Sequence, residues 1–445
     1  MQNIFKHSLA VISILMTTIV IYKQANATTV YNHGDNFWYI PTAQSLIHHR
    51  SLNLAFDYSE EIEKERQNDN WMVMRSANGD ADGWYNYFPP GPAVLSIPVV
   101  MIFDLFRPGL PSPPSLERDF EMAARSARFI AIASAVLFYA VVFVLSGRLL
   151  LSLFLSFLFA FATPQLSVHA GGLWSHNASL FFLLCMFLSM LRFRKWSGWF
   201  LMFAVFSRPT AVLFVLLVFL FLYLKKDRLA LLSFAASLVV GLLLYFYLPL
   251  SDYFSGATFT FNQSRYGFSF FEALAGTLVS PNRGLFVFLP FALFSVWGAV
   301  LIVRQIVKDQ FDLHAKAKEY RSEENNQQLF YLVLVSGVCL NWLVVSLNPN
   351  WWFGYSFGPR SFAEHSASLV LLLLPTTDWF RSLQNKRLKL TFIFFFFITI
   401  AVSVFIHVCG ATEIATARWN EEPVSVDKVP ARSWDVHDLQ FLRRD

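Results

Sequence analysis

Long apolar runs separated by short polar segments fill most of this sequence. There are eleven runs if 197–224 is taken as two short helices around Ser207-Arg208-Pro209, because Pro209 is expected to end a helix. Their lengths suit helices that cross the hydrocarbon core of a bilayer. The pattern predicts an all-α polytopic membrane protein with about eleven transmembrane helices. The runs are 4–22, 122–145, 149–166, 177–191, 197–207, 209–224, 229–250, 284–303, 328–347, 366–380 and 390–409.

The first apolar run has two interpretations. Lys6, His7 and Ala25-Asn26-Ala27 resemble the ends of a cleavable signal peptide. A retained first helix over 4–22, with its N-terminus inside, is equally compatible with the run. We favour retention, because the charges of all later loops then agree with one topology.

A long polar stretch, residues 23–121, follows the first run and carries thirteen acidic and seven basic residues. Its segment 57–70 is typical of a solvated surface helix. Its apolar segment 91–106 is predicted to be an interfacial helix, since Pro98 and Asp104 disfavour a full span. The chain then divides into a first transmembrane helix (1–22), an extracytoplasmic loop with interfacial helices (23–121), a transmembrane bundle (122–409) and an extracytoplasmic tail (410–445).

Basic residues fall mainly in the loops predicted to be cytoplasmic, which hold sixteen against four in the short outer loops. This asymmetry is typical of membrane proteins and supports the orientation. The inner residues are Arg148, Arg192, Arg194, Lys195, Lys225, Lys226, Arg228, Arg304, Lys308, Lys316, Lys318, Arg321, Arg381, Lys386, Arg387 and Lys389. The outer residues are Arg208, Arg265, Arg283 and Arg360.

Composition agrees with this class. Hydrophobic residues make up 55% of the 445 residues and charged residues only 15%, whereas a soluble protein carries nearer a quarter. The net charge of +5 follows from the inner loops, so a nucleic-acid partner is not expected. Cys185, Cys339 and Cys409 are isolated, which argues against a disulfide framework or a zinc site. No nucleotide-binding glycine motif is present, and no cofactor is expected.

Asp35, in Gly34-Asp35, lies just outside the first predicted span. A carboxylate at a lipid–water boundary suits proton abstraction in a reaction between a lipid-borne substrate and an exposed acceptor. We therefore predict that Asp35 is a catalytic base. The alternative is that it caps a helix predicted over 37–47.

Three outer arginines run against the charge asymmetry and lie beside predicted helix ends. Arg208 lies in the helix break, Arg283 just before a span and Arg360 in Gly358-Pro359-Arg360. Guanidinium groups match phosphate oxygens, and a lipid phosphate lies at this depth, so these residues are candidates for binding a donor phosphate. Snorkelling to headgroups, or an ion pair with Glu272 or Glu364, is the alternative.

The segment 167–177 is a second polar cluster on the predicted outer side. His169, His176 and Asn177 could bind sugar hydroxyls or protonate a leaving group, whereas Ser175 or Asn177 could simply cap the next helix. A metal site gains no support from the spacing. Tyr39 belongs to the outer aromatic residues, for which sugar stacking and interfacial anchoring are both plausible. These aromatic residues are Trp38, Tyr39, Trp84, Tyr85, Tyr87, Phe88, Trp351 and Trp352.

Several short motifs, in this order and topological placement, resemble the GT-C superfamily of membrane glycosyltransferases. The most similar members are bacterial relatives of the protein O-mannosyltransferases and the lipid A aminoarabinose transferase. The motifs are Gly34-Asp35-x-x-x-Tyr39-x-x-x-Ala43-x-Ser45-Leu46, Tyr87-Phe88-Pro89-Pro90-Gly91, Ser207-Arg208-Pro209-Thr210, Ser280-Pro281-x-Arg283-Gly284-Leu285 and Gly358-Pro359-Arg360.

The resemblance implies a GT-C-like fold and a multi-pass protein of the bacterial inner membrane with its active site on the periplasmic side. It also implies a polyprenyl-phosphate-linked sugar as donor, with Asp35 in the position of the acid of the first outer loop. The acceptor is left open among a glycan, a lipid and a protein, and membrane lipids surround the chain. Many relatives carry Asp-Glu where this chain has Asp35-Asn36. The expected function is a mannosyltransferase-like inverting transferase; the alternative is a transporter or flippase of lipid-linked saccharide without transferase activity.

Overall fold

The computed structural model describes residues 2–23, 36–67, 73–75, 83–106, 116–247, 269–312 and 324–444. Asp35, the predicted base, lies outside these residues. The described parts of the predicted membrane runs are mainly helical, with short breaks such as those at 162–163 and 289–291, and they support the all-α class. The helices of the bundle are Gln2–Tyr22, Leu116–Ser146, Leu149–Phe161, Ser175–Arg192, Ser197–Ser207, Leu213–Leu224, Arg228–Tyr247, Phe270–Val279, Leu285–Phe288, Ala292–Asp312, Glu324–Ser346, Ser366–Leu371, Leu373–Ser382 and Lys386–Thr412.

Five of the described helices are long and apolar enough to cross a membrane, by length and composition alone. They are Arg118–Ser146, Ser175–Arg192, Arg228–Phe246, Gln327–Ser346 and Lys386–Thr412. Five more apolar helices are shorter: Lys6–Tyr22, Gly91–Leu105, Leu149–Phe161, Pro209–Leu224 and Phe270–Val279. The structure therefore supports a membrane protein, whereas the predicted number of eleven spans is not established.

The outer surface of the bundle is apolar. In Arg228–Phe246 only 17% of an 18-residue apolar stretch is buried, and Leu229, Leu232 and Leu243 are exposed. Exposing such a surface to water would cost free energy, whereas exposing it to the hydrocarbon of a membrane would not. The arrangement is what a helix facing lipid requires.

The predicted helix break at Pro209 is confirmed. One helix ends at Ser207, a 3₁₀ turn covers Pro209–Val212, and Arg208 between them is extended, with φ −157° and ψ 119°. Proline has no backbone N–H to continue the helical ladder, and it disfavours helical geometry in the preceding residue. The break therefore presents the Arg208 side chain at the junction of two helices.

The first loop folds as helices Tyr39–His49, Ala55–Gln67 and Gly91–Phe106, with a short antiparallel pair of strands, Val73–Arg75 and Trp84–Asn86. The strand pair was not predicted, because three-residue strands give too short an alternation to recognise. The three helices agree with the predictions for 37–47, 57–70 and 91–106. Trp38 occupies the N-cap position of the first helix, whereas Asp35, the predicted alternative cap, lies outside the described residues.

The second helix of this loop is more buried than a solvated surface helix. Tyr58 and Ile62 on Ala55–Gln67 are buried against Trp38. The Tyr58 hydroxyl donates to Asp119 Oδ2 over 2.8 Å, and Gln44 Nε2 donates to Asp119 Oδ1 over 3.0 Å. This buried triad ties two loop helices to the start of the long helix Leu116–Ser146.

The C-terminal tail packs back onto the bundle instead of extending away from it. After the last long helix it forms the short helix Ala415–Arg418 and the 3₁₀ turns Pro430–Trp434 and Gln440–Leu442. Trp419 is fully buried, in a cluster with Trp351 and Trp352. The tail is thus part of the fold around residues 348–360.

Candidate functional site

Two of the predicted arginines meet on one histidine. Arg208 Nη1 donates to His176 Nε2 over 3.1 Å, and Arg360 Nε donates to the same nitrogen over 2.7 Å. A guanidinium group has only donors, so His176 Nε2 must be the acceptor. His176 is therefore the neutral tautomer with its proton on Nδ1. We call Arg208, Arg360, His176, His169 and Glu364 the arginine–histidine cluster.

The local structure explains why these side chains converge. Arg208 comes from the break before Pro209, His176 from the first turn of Ser175–Arg192, and Arg360 from the start of a 3₁₀ turn at Arg360–His365. The Arg360 guanidinium carbon also lies 4.9 Å from the ring centroid of Trp174. Irregular backbone at three helix ends thus brings together groups that are separated in sequence.

One carboxylate belongs to the cluster. Glu364, 2% exposed, lies 3.4 Å from Arg208 Nε and accepts hydrogen bonds from Thr210 over 2.5 Å and Ser179 over 3.0 Å. The ion-pair alternative predicted for Arg208 is therefore present. Among the described residues of the cluster, Glu364 is the carboxylate, and it is paired with Arg208. Guanidinium groups in this position suit the binding of an anion such as phosphate.

His169 is neutral as well. It ends a π-helical turn, Gln165–His169, and its Nδ1 hydrogen-bonds Gln165 Oε1. Burial, assisted by Arg208 and Arg360, lowers its pKa to about 3. Because Nδ1 donates to the amide oxygen, Nε2 is left as an acceptor. Insertions of this π-helical kind occur frequently at functional sites.

The two histidines offer complementary groups to a ligand. Their rings are near-parallel with centroids 6.3 Å apart, and each is 1% exposed. Neither His176 Nδ1–H nor His169 Nε2 has a hydrogen-bond partner among the described residues. A buried donor and a buried acceptor without protein partners are uncommon, because each costs about 1–3 kcal/mol. A hydroxyl or phosphate ligand would satisfy both.

Asn177 supports the loop that carries this cluster. Its side-chain nitrogen donates to the carbonyls of His169 over 2.9 Å and Gly172 over 3.0 Å. These bonds close the turn between the π-helical segment and the next helix. Asn177 Oδ1 has no partner within the described part of the chain, so the side chain can still contact a ligand.

The first loop reaches the same region. Asn36, which follows Asp35 in the sequence, accepts a 2.9 Å hydrogen bond at Oδ1 from the backbone N–H of Leu173. Leu173 precedes Trp174, which contacts Arg360. Tyr39 is fully buried and packs in one apolar cluster with Leu173. Asp35 itself lies outside the described residues, but Asn36, the next residue, binds the segment that leads to Trp174.

Arg283 lies in a different environment. Its guanidinium group, 3% exposed, donates five hydrogen bonds of 2.7–3.1 Å, which use all five of its N–H groups. It also lies 5.0 Å from the centroid of Trp419. The acceptors are the carbonyl oxygens of Trp352, Asn282 and Gly354 and the side-chain oxygens of Gln440 and Asn420. These bonds use every N–H donor of Arg283, which is therefore not placed to bind a phosphate as Arg208 and Arg360 are.

Two members of this region were not predicted as site residues. The sequence predicts Glu364 only as an ion-pair partner and carries no prediction for Gln165. A sequence signal exists for the first, since Glu364 follows Arg360 by four residues and a buried carboxylate in an apolar segment is rarely without function. No comparable signal marks Gln165. Among the described residues, no group of three or more His, Cys, Asp or Glu side chains could hold a metal ion.

Comparison with solved structures reveals similarity of fold. No protein-family model matches the sequence, and no curated protein matches it. The structure is similar to the crystal structure of the oligosaccharyltransferase of Archaeoglobus fulgidus in its apo form, with a TM-score of 0.51 and 12% sequence identity. The match covers 98% of this chain and 61% of the archaeal chain, so the present chain is much shorter than that protein.

This likeness concerns the fold, because 12% identity is too low to carry function from one protein to the other. Together with the apolar helices, it indicates a membrane protein that shares the fold of the archaeal oligosaccharyltransferase.

Proposed function

We propose that this protein transfers a sugar from a polyprenyl-phosphate donor to an acceptor at the extracytoplasmic face of the bacterial inner membrane. The supporting observation is the convergence of Arg208 and Arg360 on a neutral His176. Two guanidinium groups beside histidine nitrogens that have no hydrogen-bond partner among the described residues suit a phosphate-bearing ligand. The fold neighbour, an oligosaccharyltransferase, supports glycosyl transfer in general.

In the proposed reaction Asp35 accepts the proton of an acceptor hydroxyl, and the hydroxyl oxygen attacks the anomeric carbon with inversion. The bond between that carbon and the phosphate oxygen breaks, and the polyprenyl phosphate leaves with the electron pair. Arg208 and Arg360 stabilise the charge that develops on the leaving oxygen, and His176 Nδ1–H can donate to the same group. The phosphate is already a good leaving group, so no nucleotide pocket is required.

Sugar recognition is assigned to the neutral groups of the site. His169 Nε2 can accept from a sugar hydroxyl, and Asn177 Oδ1 can do the same. Tyr39 packs directly behind Leu173 and shapes the wall of the site. By resemblance to the protein O-mannosyltransferases the sugar is mannose-like. The acceptor belongs to one of three classes: glycan, lipid or protein.

A binding experiment tests the phosphate assignment. The full chain is reconstituted in nanodiscs, and the affinity for undecaprenyl phosphate is measured for the wild type and for the double variant Arg208→Met/Arg360→Met. Each lost charge-assisted bond is worth about 1.5–3 kcal/mol, so we expect a loss of about 100-fold or more. Arg148→Met, a change of the same type in a predicted inner loop, serves as control and should bind like the wild type. Equal binding by the wild type and the double variant would refute the phosphate site.

Turnover separates the transferase from the flippase alternative. A transferase consumes undecaprenyl phosphomannose and releases undecaprenyl phosphate in membranes that contain the native acceptor. A flippase binds the same lipid through the same arginines and leaves the bond between sugar and phosphate intact. Binding without release would therefore favour the flippase.

A further inference from the structure

The C-terminal tail packs around the segment that carries Arg360. We call the contacts of Gln440 with this segment the bracket. Gln440, which is fully buried, uses its side chain in four hydrogen bonds. Its Nε2 donates to the carbonyl oxygens of Ser356 over 2.8 Å and Thr416 over 3.1 Å. Its Oε1 accepts from the backbone N–H of Gly358 over 3.1 Å and from Arg283 Nη1 over 2.7 Å. One amide thereby saturates its hydrogen-bonding capacity.

The backbone of this segment has little freedom to move. Gly358 has φ +57°, a conformation that favours glycine, and a Cβ at this position would lie 2.5 Å from the Phe288 ring. Phe441, the neighbour of Gln440, packs on the same Phe288 ring with centroids 5.4 Å apart. The tail therefore fixes both the hydrogen bonds and the packing of the residue two positions before Arg360.

Arg283 extends the bracket along the chain. It binds the carbonyls of Trp352 and Gly354, whereas Gln440 binds the backbone of Ser356 and Gly358. Every second residue from 352 to 358 thus has a backbone group bound by Arg283 or Gln440, and these two side chains also bind each other. Asn282 adds a second tie, because its side-chain oxygen accepts from the backbone N–H of Gln440 over 2.7 Å.

We infer that Gln440 is a positioning residue for the phosphate site and acts through Arg360. The amide holds the 356–358 backbone so that Arg360 Nε remains within 2.7 Å of His176 and its guanidinium group stays over Trp174. The inference rests on the proposed function for its ligand, but its structural step can be tested without one. It makes the tail, which contributes no group to the reaction, a part of the site's geometry.

A double-mutant cycle provides the test. Gln440→Met preserves side-chain volume and removes the four hydrogen bonds, and Gln384→Met, an exposed amide in a predicted inner loop, is the matched control. We expect Gln440→Met to weaken undecaprenyl phosphate binding about 3–10-fold in the wild-type background and less than about twofold in Arg360→Met. A purely structural role would give equal losses in both backgrounds, and that result would overturn the inference, as would an unchanged affinity of Gln440→Met.

Hydrogen exchange gives a readout that does not depend on a ligand. In Gln440→Met we expect amide exchange in residues 354–362 to rise about tenfold, while the helix Ser175–Arg192 stays protected. If the wild type does not bind undecaprenyl phosphate, the proposed function fails and the exchange result decides the positioning step alone. Unchanged exchange would refute it. Should Gln440→Met not fold, Gln440→Glu keeps the acceptor bonds to Gly358 and Arg283 and is expected to show smaller changes of the same sign.

Discussion

Two guanidinium clusters lie at opposite ends of the segment 352–360, and they differ in how their donors are used. Arg283 gives all five N–H groups to neutral protein oxygens. Arg360 and Arg208 instead share one histidine nitrogen. Beside them, His176 Nδ1 and His169 Nε2 have no hydrogen-bond partner among the described residues.

Arginines with the same predicted position can therefore have different roles. The sequence pattern puts all three on the outer side beside helix ends and does not separate them. What separates them is the identity of their acceptors. A guanidinium group surrounded by carbonyl and amide oxygens cross-links the chain, while two that meet at a neutral ring are placed to bind an anion.

The largest effect is expected from replacing Asp35, the proposed catalytic base. Asp35→Asn should lower sugar release from undecaprenyl phosphomannose by about 10²–10⁴-fold, since an amide cannot accept the proton. Undecaprenyl phosphate affinity should stay within about twofold, because the arginines are unchanged. The matched control is Asp57→Asn, on the helix Ala55–Gln67 and paired with His49, which should release sugar normally. Normal release by Asp35→Asn would remove that residue from the mechanism.

A reciprocal pair of variants tests the comparison itself. Arg283→Met leaves several buried oxygens without a donor, at about 1–3 kcal/mol each, so we expect a loss of about 4 kcal/mol in the free energy of unfolding. Because Arg283 also holds the backbone that leads to Arg360, undecaprenyl phosphate affinity should fall by about 3–10-fold, as for Gln440→Met. Arg360→Met should show the reverse, with an affinity loss of about tenfold or more and less than about 1 kcal/mol of destabilisation. Denaturant titration and lipid binding on the same reconstituted samples measure both quantities, and similar profiles for the two variants would abolish the distinction.

Sequence patterns predicted the helices well because apolar runs and proline are local signals. The break at Arg208 and the helices at 39–49 and 91–106 each follow from such signals. The pairing of Arg208 with Arg360 through His176 is a contact across more than 150 positions, and no local pattern encodes it. The tail shows the same limit, since the four bonds of Gln440 depend on the fold of three distant segments.

Glu364 is the carboxylate of the arginine–histidine cluster. Neutralising it should increase the difference in phosphate affinity between this cluster and the surroundings of Arg283. Glu364→Gln keeps an acceptor for Ser179 or Thr210 and removes the negative charge 3.4 Å from Arg208. Without that negative charge the site should attract a phosphate more strongly, and we expect undecaprenyl phosphate to bind about 3–10-fold more tightly, with reduced thermal stability. Glu272→Gln, which changes an exposed carboxylate bonded to Trp434, is the control. Weaker binding by Glu364→Gln would mean that the carboxylate orients Arg208 more than it opposes the ligand's charge.

The smallest effect is expected from pH, because the cluster owes its charge to arginines and not to histidines. Burial, with Arg208 and Arg360 nearby, lowers the pKa of His169 to about 3, so this ring stays neutral from pH 5.5 to 8. Affinity for undecaprenyl phosphomannose, whose phosphodiester does not titrate in that range, should change by less than about twofold. Since the unfolded chain binds this proton near pH 6.5, the contribution of His169 to stability is present above that pH and is lost as pH falls towards 3. A several-fold rise in affinity below pH 6.5 would show that a histidine charges within the cluster, and His169→Gln, which cannot charge, would then have to abolish that rise.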